Sequence, residues 1–386
     1  MSDVGPAPGD GTDEGLVLPA LVDAHVHPDK TLWGQPWLSR RPAPDLRALI
    51  DYDVSVQLGL TTSVADRAEA LMRRAVTQGT LAMRAHVDVA PEYGLRNLHG
   101  VVEAADRLDG LIDVQVVAFP QLGLLSHEGT LALMADAMSE GADIVGGLDP
   151  LGVDGDVKGH LDAVFGLAER ESREVDLHLH DDGEPGLAQL LAVAERTKTL
   201  GMQGRVTVSH AFALATATPD RRASVAETLA GCGVALTTCA LGGDPVLPVH
   251  ELRRAGVRVA AGSDGVRDAW TPFGTGSMVD RAHLLAYRLD ATTDDDLAQC
   301  YEVCSIAGAQ LLGLAPDAAP LDVLGSVSSV ASTDPANLPD DLPDDLPDDY
   351  VVVSSTSVAE LVVDHPTPSC VVRGGRIVAR DGRSVA

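Results

Sequence analysis

A chain of 386 residues, 45% of them hydrophobic, is long enough to bury one large core, yet it holds no run of eighteen apolar residues to span a bilayer as a helix. A formal net charge of −29 works against nucleic acid and anionic membrane surfaces, whose phosphates it would repel. The five cysteines form no CxxC pair, and the first twenty residues carry acids and glycines where a signal peptide needs a basic start and an apolar run. Reduced, mostly buried thiols in a cytoplasmic chain are therefore expected.

Residues 1–19 read as a flexible segment. From about residue 20 to 313, short β-branched runs alternate with longer amphipathic, Ala/Leu-rich stretches. Strands are predicted at 21–27, 81–89, 112–119, 142–148, 174–180, 205–210, 233–239 and 257–264, and helical patterns lie between them at 63–78, 129–140, 157–172, 185–200 and 220–230. IDVQVVAF, ADIVGG and VRVAAG are almost continuously apolar, as strands covered on both faces should be. Gly79, Gly141, Gly201, Gly233 and Gly256 stand where helices should close before the next strand. Strand–helix alternation repeated about eight times predicts an α/β protein with a (β/α)₈ TIM-type barrel. The rival, an open doubly wound sheet, has no GxGxxG turn to support it. Residues 314–349 read as a linker with prolines, a Ser-rich run and three LPDD repeats at 338–349, to which no function is assigned. Residues 350–386 read as short strands around a Gly-Gly turn, a small β appendage.

The chemistry gathers at the predicted strand ends. In LVDAHVHPDKT, strand alternation sends His25 and His27 to one face at the C-terminal end of the first barrel strand, where barrel active sites are built. Two imidazoles there suit zinc or iron, although one satisfied core histidine would give the same pattern. VDLHLHD ends the fifth strand with His178 and His180, RVTVSHAF the sixth with His210, and VRVAAGSDG the eighth with Asp264. Lys30 is one of only three lysines, so its place beside the HxH pair stands out against the reading of a solvated surface charge. Trp33, Trp37 and Trp270 all fall in barrel-top loops of a chain with 3% aromatics, which suggests a stacking wall for a flat ring. His86 reads as a structural residue or one that orients a ligand.

With RAHVDVAP, QVVAFPQLG, GADIVGGLDP and SDGVRDAWTPFGTGSM, these motifs resemble the cytosine-deaminase-like branch of the amidohydrolase superfamily over roughly residues 20–313. The C-terminal β piece is similar to that family's as well. The resemblance implies one divalent ion per chain, zinc first with iron(II) or manganese as alternatives, bound by His25, His27, His178 and Asp264 with His210 beside them. Asp181 stands where cytosine deaminases carry a proton-shuttling Glu. The HLHD and HxHxDK forms, which set His180 and Lys30, look closer to N-isopropylammelide aminohydrolases.

The activity implied is hydrolysis of a non-peptide carbon–nitrogen bond, removing an amino or alkylamino group from a small N-heterocycle, a pyrimidine or a triazine. Cytosine or isocytosine deaminase proper and a cyclic amide hydrolase are the alternatives. Asp264 would take a proton from the water that the metal makes nucleophilic, and His210 would stabilise charge at the attacked ring carbon. His180 or Asp181 would protonate a ring nitrogen and then the leaving amine. Lys30 and Gln121 would hydrogen-bond a ring carbonyl, and Trp270 would contact the substrate. A binuclear amidase needs a carboxylated lysine on the fourth strand, and ADIVGGLD has none. A non-catalytic barrel would be expected to have lost ligands, and a phosphate-binding barrel to carry a basic or glycine-rich loop. Family members place β-strands ahead of the first barrel strand; with about twenty polar residues there, the small β-domain is expected to be partial. A homo-oligomer is expected from the resemblance.

Overall fold

The computed structural model describes residues 15–44, 46–315, 328–330, 333 and 348–385. It opens with strand β1 (Gly15–Pro19), and eight parallel strands follow: β2 (Leu21–Val26), β3 (Thr80–Asp88), β4 (Asp113–Phe119), β5 (Ile144–Leu148), β6 (Glu174–Leu179), β7 (Val206–His210), β8 (Val234–Thr238) and β9 (Val259–Ala261). The eight pair side by side in chain order. The ring returns from β9 to β2 through a parallel bridge between Val26 and Asp264. There Asp264 N donates to His25 O at 2.8 Å and His27 N donates to Asp264 O at 3.2 Å. The expected (β/α)₈ barrel is present, nearly closed.

The apolar runs become strands because both of their faces are covered. Every residue of β2, β3, β5, β7 and β8 is buried, between the barrel interior and the surrounding helices. The helices supply the outer half of that core: Leu71, Leu98, Leu161, Leu190 and Leu229 are each no more than 2% exposed. Burying each contributes roughly 1.5–3 kcal/mol. The helical patterns appear as helices at Val64–Thr77, Thr130–Ser139, Val157–Glu171, Gly183–Thr199 and Pro219–Gly231, and the five glycines expected to close helices all have positive φ. The last strand is shorter than expected. β9 stops at Ala261 because the chain must turn through Gly262, where any Cβ would lie 2.4 Å from His25 O. That close approach brings Asp264 to the mouth of the barrel.

A second, six-stranded sheet has the order β10–β1–β11–β12–β13–β14, with β10 (Ser328–Val330), β11 (Tyr350–Val353), β12 (Cys370–Arg373), β13 (Arg376–Arg380) and β14 (Arg383–Ser384). It corrects two boundaries. Residues 15–19 are not part of a flexible segment: GLVLP is apolar and lies in the sheet, pairing antiparallel with β10 and β11. The stretch read as a linker contributes β10. The LPDD repeats fall outside the described residues up to 347; of the remaining two, Asp349 accepts from Gly374 N at 2.8 Å. All five cysteines are buried, and no described helix is long and apolar enough to cross a membrane.

Candidate active site

The period of two along the strands builds the barrel interior in tiers: Asp23, His25 and His27 on β2 and just beyond it, Arg84, His86 and Asp88 on β3, and Asp176, His178 and His180 on β6 and just beyond it. The middle tier is a packed cluster of imidazoles. His25 lies 4.0 Å from His86 and 4.5 Å from His178 between ring centroids, and Phe119 stacks on His178 at 4.0 Å.

Four side chains expected to share a metal converge there. His27 Nε2 is 3.4 Å from Asp264 Oδ1 and 3.4 Å from His178 Nε2, while His25 Nε2 is 3.9 Å from Asp264 Oδ1. Donors bound at about 2.0–2.1 Å around a tetrahedral zinc stand about 3.4 Å apart, so the spacing fits a single divalent ion. His25 Nε2 is buried without a hydrogen-bond partner, as suits a metal-ligand atom, and so is His210 Nε2 beside it. His210 Nε2 stands 3.9 Å from the other oxygen of Asp264, and His25, His178 and His210 offer atoms within 4.8 Å of one another. Burial, together with neighbouring imidazoles and, for His27, Lys30, holds His25, His27, His178 and His210 well below the ordinary imidazole range. Neutral rings are the metal-binding form. Cys239 is also near His25 and Asp264, but burial pushes its thiol well up, keeping it a protonated, poor ligand.

Two of these residues have unusual backbones. Asp264 has φ +59° and His210 has φ +70°. Non-glycine residues there cost of order 1–3 kcal/mol, and such strain concentrates at functional sites. In both cases the twist falls where the chain leaves the barrel, at the rim of a cavity of about 1030 Å³ lined by His27, His178, His210 and Asp264.

Lys30, Gln121, His180 and Trp270 line the same cavity. Lys30 is only 3% exposed; its Nζ donates to Gln121 Oε1 at 2.5 Å and pairs with Asp88 Oδ1 at 3.0 Å, 5.6 Å from the Phe119 ring centre and 5.9 Å from that of Trp270. Burial opposes its charge, but Asp88, Asp53 and Asp29 outweigh it and raise the ammonium above its usual range. Lys30 is thus a fixed cation, and the surface-charge alternative falls away. His180 Nδ1 lies 2.8 Å from Asp149 Oδ2.

Of the two candidate proton shuttles, Asp181 is placed differently from His180. Its Oδ2 accepts from Gly152 N and from Gln189 Nε2, each at 3.0 Å, which ties the chain beyond β6 to the loop beyond β5 instead of facing the cavity. The side chain that follows His180 is turned away because its own neighbour alternates inward. Trp33 and Trp37 also leave the proposed stacking wall: Trp33 lies under Arg267, 4.3 Å away, and Trp37 is 74% exposed. Sequence reasoning passed over Asp149 and Asp88, although GGLDP and RAHVD show a carboxylate at a strand end in each case. His86 packs against His25 with its ring tilted by 32°, and burial lowers its pKa to about 4.

Residues 13–317 match the amidohydrolase family. The chain belongs to that family. Members act as hydrolases on carbon–nitrogen bonds other than peptides, typically with a divalent metal. This amidohydrolase is 31% identical over 381 residues to the N-isopropylammelide isopropyl amidohydrolase of Pseudomonas sp. strain ADP, covering 96% of this chain and 88% of that one. The crystal structure of N-isopropylammelide isopropylaminohydrolase from Burkholderia multivorans superposes with a TM-score of 0.84 at 38% identity, over 96% of this chain and 88% of that one. The 5-methylcytosine deaminase of Klebsiella pneumoniae shares the fold at a TM-score of 0.79 and 24% identity, covering 96% of this amidohydrolase and 88% of the deaminase.

Proposed function

We propose that this amidohydrolase removes an amino or alkylamino group from a small N-heterocycle, a pyrimidine or a triazine, with one divalent ion, zinc first, held by His25, His27, His178 and Asp264. The observation that carries this reading is that His27, His178, His210 and Asp264 face one cavity together with Lys30, Gln121 and His180. The two N-isopropylammelide hydrolases support the alkylamino leaving group. Five buried cysteines with no CxxC pair fit a cytoplasmic setting.

When bound, the ion supplies Lewis acidity that makes a water nucleophilic near neutral pH. Asp264, 17% exposed at the cavity rim and pushed up by burial against the pull of His180, Lys30 and Arg281, would accept a proton from the attacking water. The Lys30 ammonium and the Gln121 amide hold the ring by its acceptor atoms. His180, held by Asp149, gives its proton to the ring, regains one from the protonated Asp264 carboxyl and passes it to the departing nitrogen. His210, stacked on His180 with centroids 4.4 Å apart, donates to the charge that develops at the attacked carbon. The engagement of Asp181 with Gly152 and Gln189 counts against a cytosine deaminase proper, whose carboxylate shuttle would have to enter the cavity.

A screen for released ammonia or amine across pyrimidines, triazines, purines and their N-alkylated analogues tests the proposal. Turnover is expected on an aminated or alkylaminated six-membered ring. Silence across the panel by metal-loaded protein would overturn it.

A further inference from the structure

Beneath the proposed metal ligands, β3, β6 and β7 carry a connected set of polar side chains that the reaction itself does not use. Arg84, wholly buried, gives Nη1 to Asp176 Oδ2 at 2.9 Å and to Thr207 Oγ1 at 3.1 Å, and Nη2 to Gln115 Oε1 at 3.0 Å. Asp176, also wholly buried, accepts at its other oxygen from Ser209 Oγ at 2.9 Å. Ser209 Oγ in turn lies 2.9 Å from His25 Nδ1. At the far end His25 points Nε2 toward the Asp264 carboxylate, with no hydrogen-bond partner of its own.

Counting protons fixes the direction of each link. A guanidinium only donates and an ionised carboxylate only accepts. Asp176 therefore draws the single hydroxyl proton of Ser209, and the hydroxyl oxygen is left to accept. The proton it accepts is that of His25 Nδ1, so the ring carries no proton on Nε2. His86 does not compete for the carboxylate, because its Nε2 is 3.9 Å from Asp176 Oδ2, beyond hydrogen-bond reach.

We infer that Arg84, Asp176 and Ser209 form a positioning relay that locks His25 in the tautomer with a bare Nε2, so that this ligand is ready before an ion arrives. The relay rests on the metal reading above. Arg84 is its root: the guanidinium neutralises the carboxylate whose acceptor character sets the direction of the whole chain. A metal ligand left free to exchange tautomers would spend part of its time with Nε2 protonated and unable to bind.

The test is Ser209→Ala, read in two ways: the ¹⁵N shifts of histidine-labelled metal-free protein, which report each ring's tautomer, and the Kd for Zn²⁺ from competition with a chromophoric chelator. In the wild type His25 is expected as the Nδ1-protonated tautomer. In S209A a mixture is expected, with Zn²⁺ bound about 10–100-fold more weakly and the metal-free melting temperature within a few degrees of wild type. Asp176→Asn should weaken Zn²⁺ binding further, because the amide nitrogen, with Arg84 taking the amide oxygen, donates to Ser209 and reverses the chain. Since that variant leaves Arg84 without its counter-charge, S209A decides the matter if D176N does not fold. An Nε2-protonated His25 in the wild type, or wild-type Zn²⁺ affinity in S209A, overturns the relay and leaves the metal site standing. A wild-type protein that takes up no Zn²⁺ overturns the metal reading itself.

Discussion

Asp149 grips His180 twice: one carboxylate oxygen accepts from the His180 backbone N at 2.6 Å, and the other lies 2.8 Å from the ring Nδ1. Burial works against an imidazolium there, but the Asp149 bond and charge, aided by Asp264 and Asp244, raise His180 above the ordinary imidazole value. The folded protein thus favours the protonated ring. Its proton-donating form persists to higher pH than a free imidazole would, and is lost as pH rises through the raised value. Asp149→Asn should therefore move the basic limb of the kcat–pH profile to lower pH, with a lower plateau. The same variant should lose the part of its stability that wild type holds below the ordinary imidazole range and gives up above it. A limb that stays in place would remove His180 from the proton transfer.

Asp181 and His180 are adjacent in sequence, yet only His180 lines the cavity. The two residues can be separated by substitution. Asp181→Ala costs its two bonds to Gly152 N and Gln189 Nε2, about 1–3 kcal/mol of stability, and should leave kcat within a few-fold of wild type. His180→Gln should lower kcat by about 10²–10⁴, the usual range for a lost general acid. Steady-state kinetics beside a urea melt distinguish the two, and the reverse order would return the shuttle to Asp181.

Lys30 sits at the edge of a buried group of carboxylates. Beyond Asp88, the set includes Asp29, whose Oδ2 accepts from Asp88 N and from Asn97 Nδ2 at 3.0 Å each, and Asp53, which accepts from Gln57 Nε2 at 2.9 Å. Burial pushes Asp29 and Asp88 up, and Lys30 pulls them back. Lys30→Met removes that cation and leaves buried negative charge uncompensated, a loss of about 3–5 kcal/mol at neutral pH. The deficit should shrink as pH falls, because the carboxylates, pushed higher still, take up protons and neutralise themselves. Denaturant titrations at several pH values check this. Gln121→Ala, which keeps the ion pair, should instead raise KM by about tenfold, the equivalent of one lost hydrogen bond.

The barrel was legible because both-faces-buried strands write themselves as apolar runs, and the metal-site candidates because histidines and an aspartate stand at strand ends. What the sequence hid has physical causes. Asp264 was placed within a strand, whereas it lies past Gly262 at positive φ, a turn that depends on how closely β9 meets β2. Residues 15–19 were passed over because a five-residue apolar run shows no periodicity, and its partners β10 and β11 lie more than 300 residues away. Asp149, Asp176 and Ser209 bear on the site only through side chains on neighbouring strands, so no spacing along the chain announces them.

Metal stoichiometry is the last expectation, and it follows from β5. Its Gly146 and Gly147 have no room for side chains: a Cβ at Gly146 would lie 2.2 Å from Ala118 O, and one at Gly147 would lie 2.8 Å from His160 Nε2. A lysine would not fit at either glycine, and the other residues of that strand, Ile144, Val145 and Leu148, offer no metal-binding group. Among the described residues, His27, Asp29 and Asp88 form another group with metal-ligand spacing, but the Lys30 ammonium 3.0 Å from Asp88 already supplies the positive charge there and would repel a second ion. Elemental analysis of purified protein should find about one divalent ion per chain. Chelation should abolish turnover while far-ultraviolet circular dichroism stays unchanged, because the apolar core between barrel and helices does not involve the ion. Restoring Zn²⁺ at a thousand times its Kd should add about 4 kcal/mol of stability, seen as a higher melting temperature. Two ions per chain, or full activity after chelation, would overturn the mononuclear site.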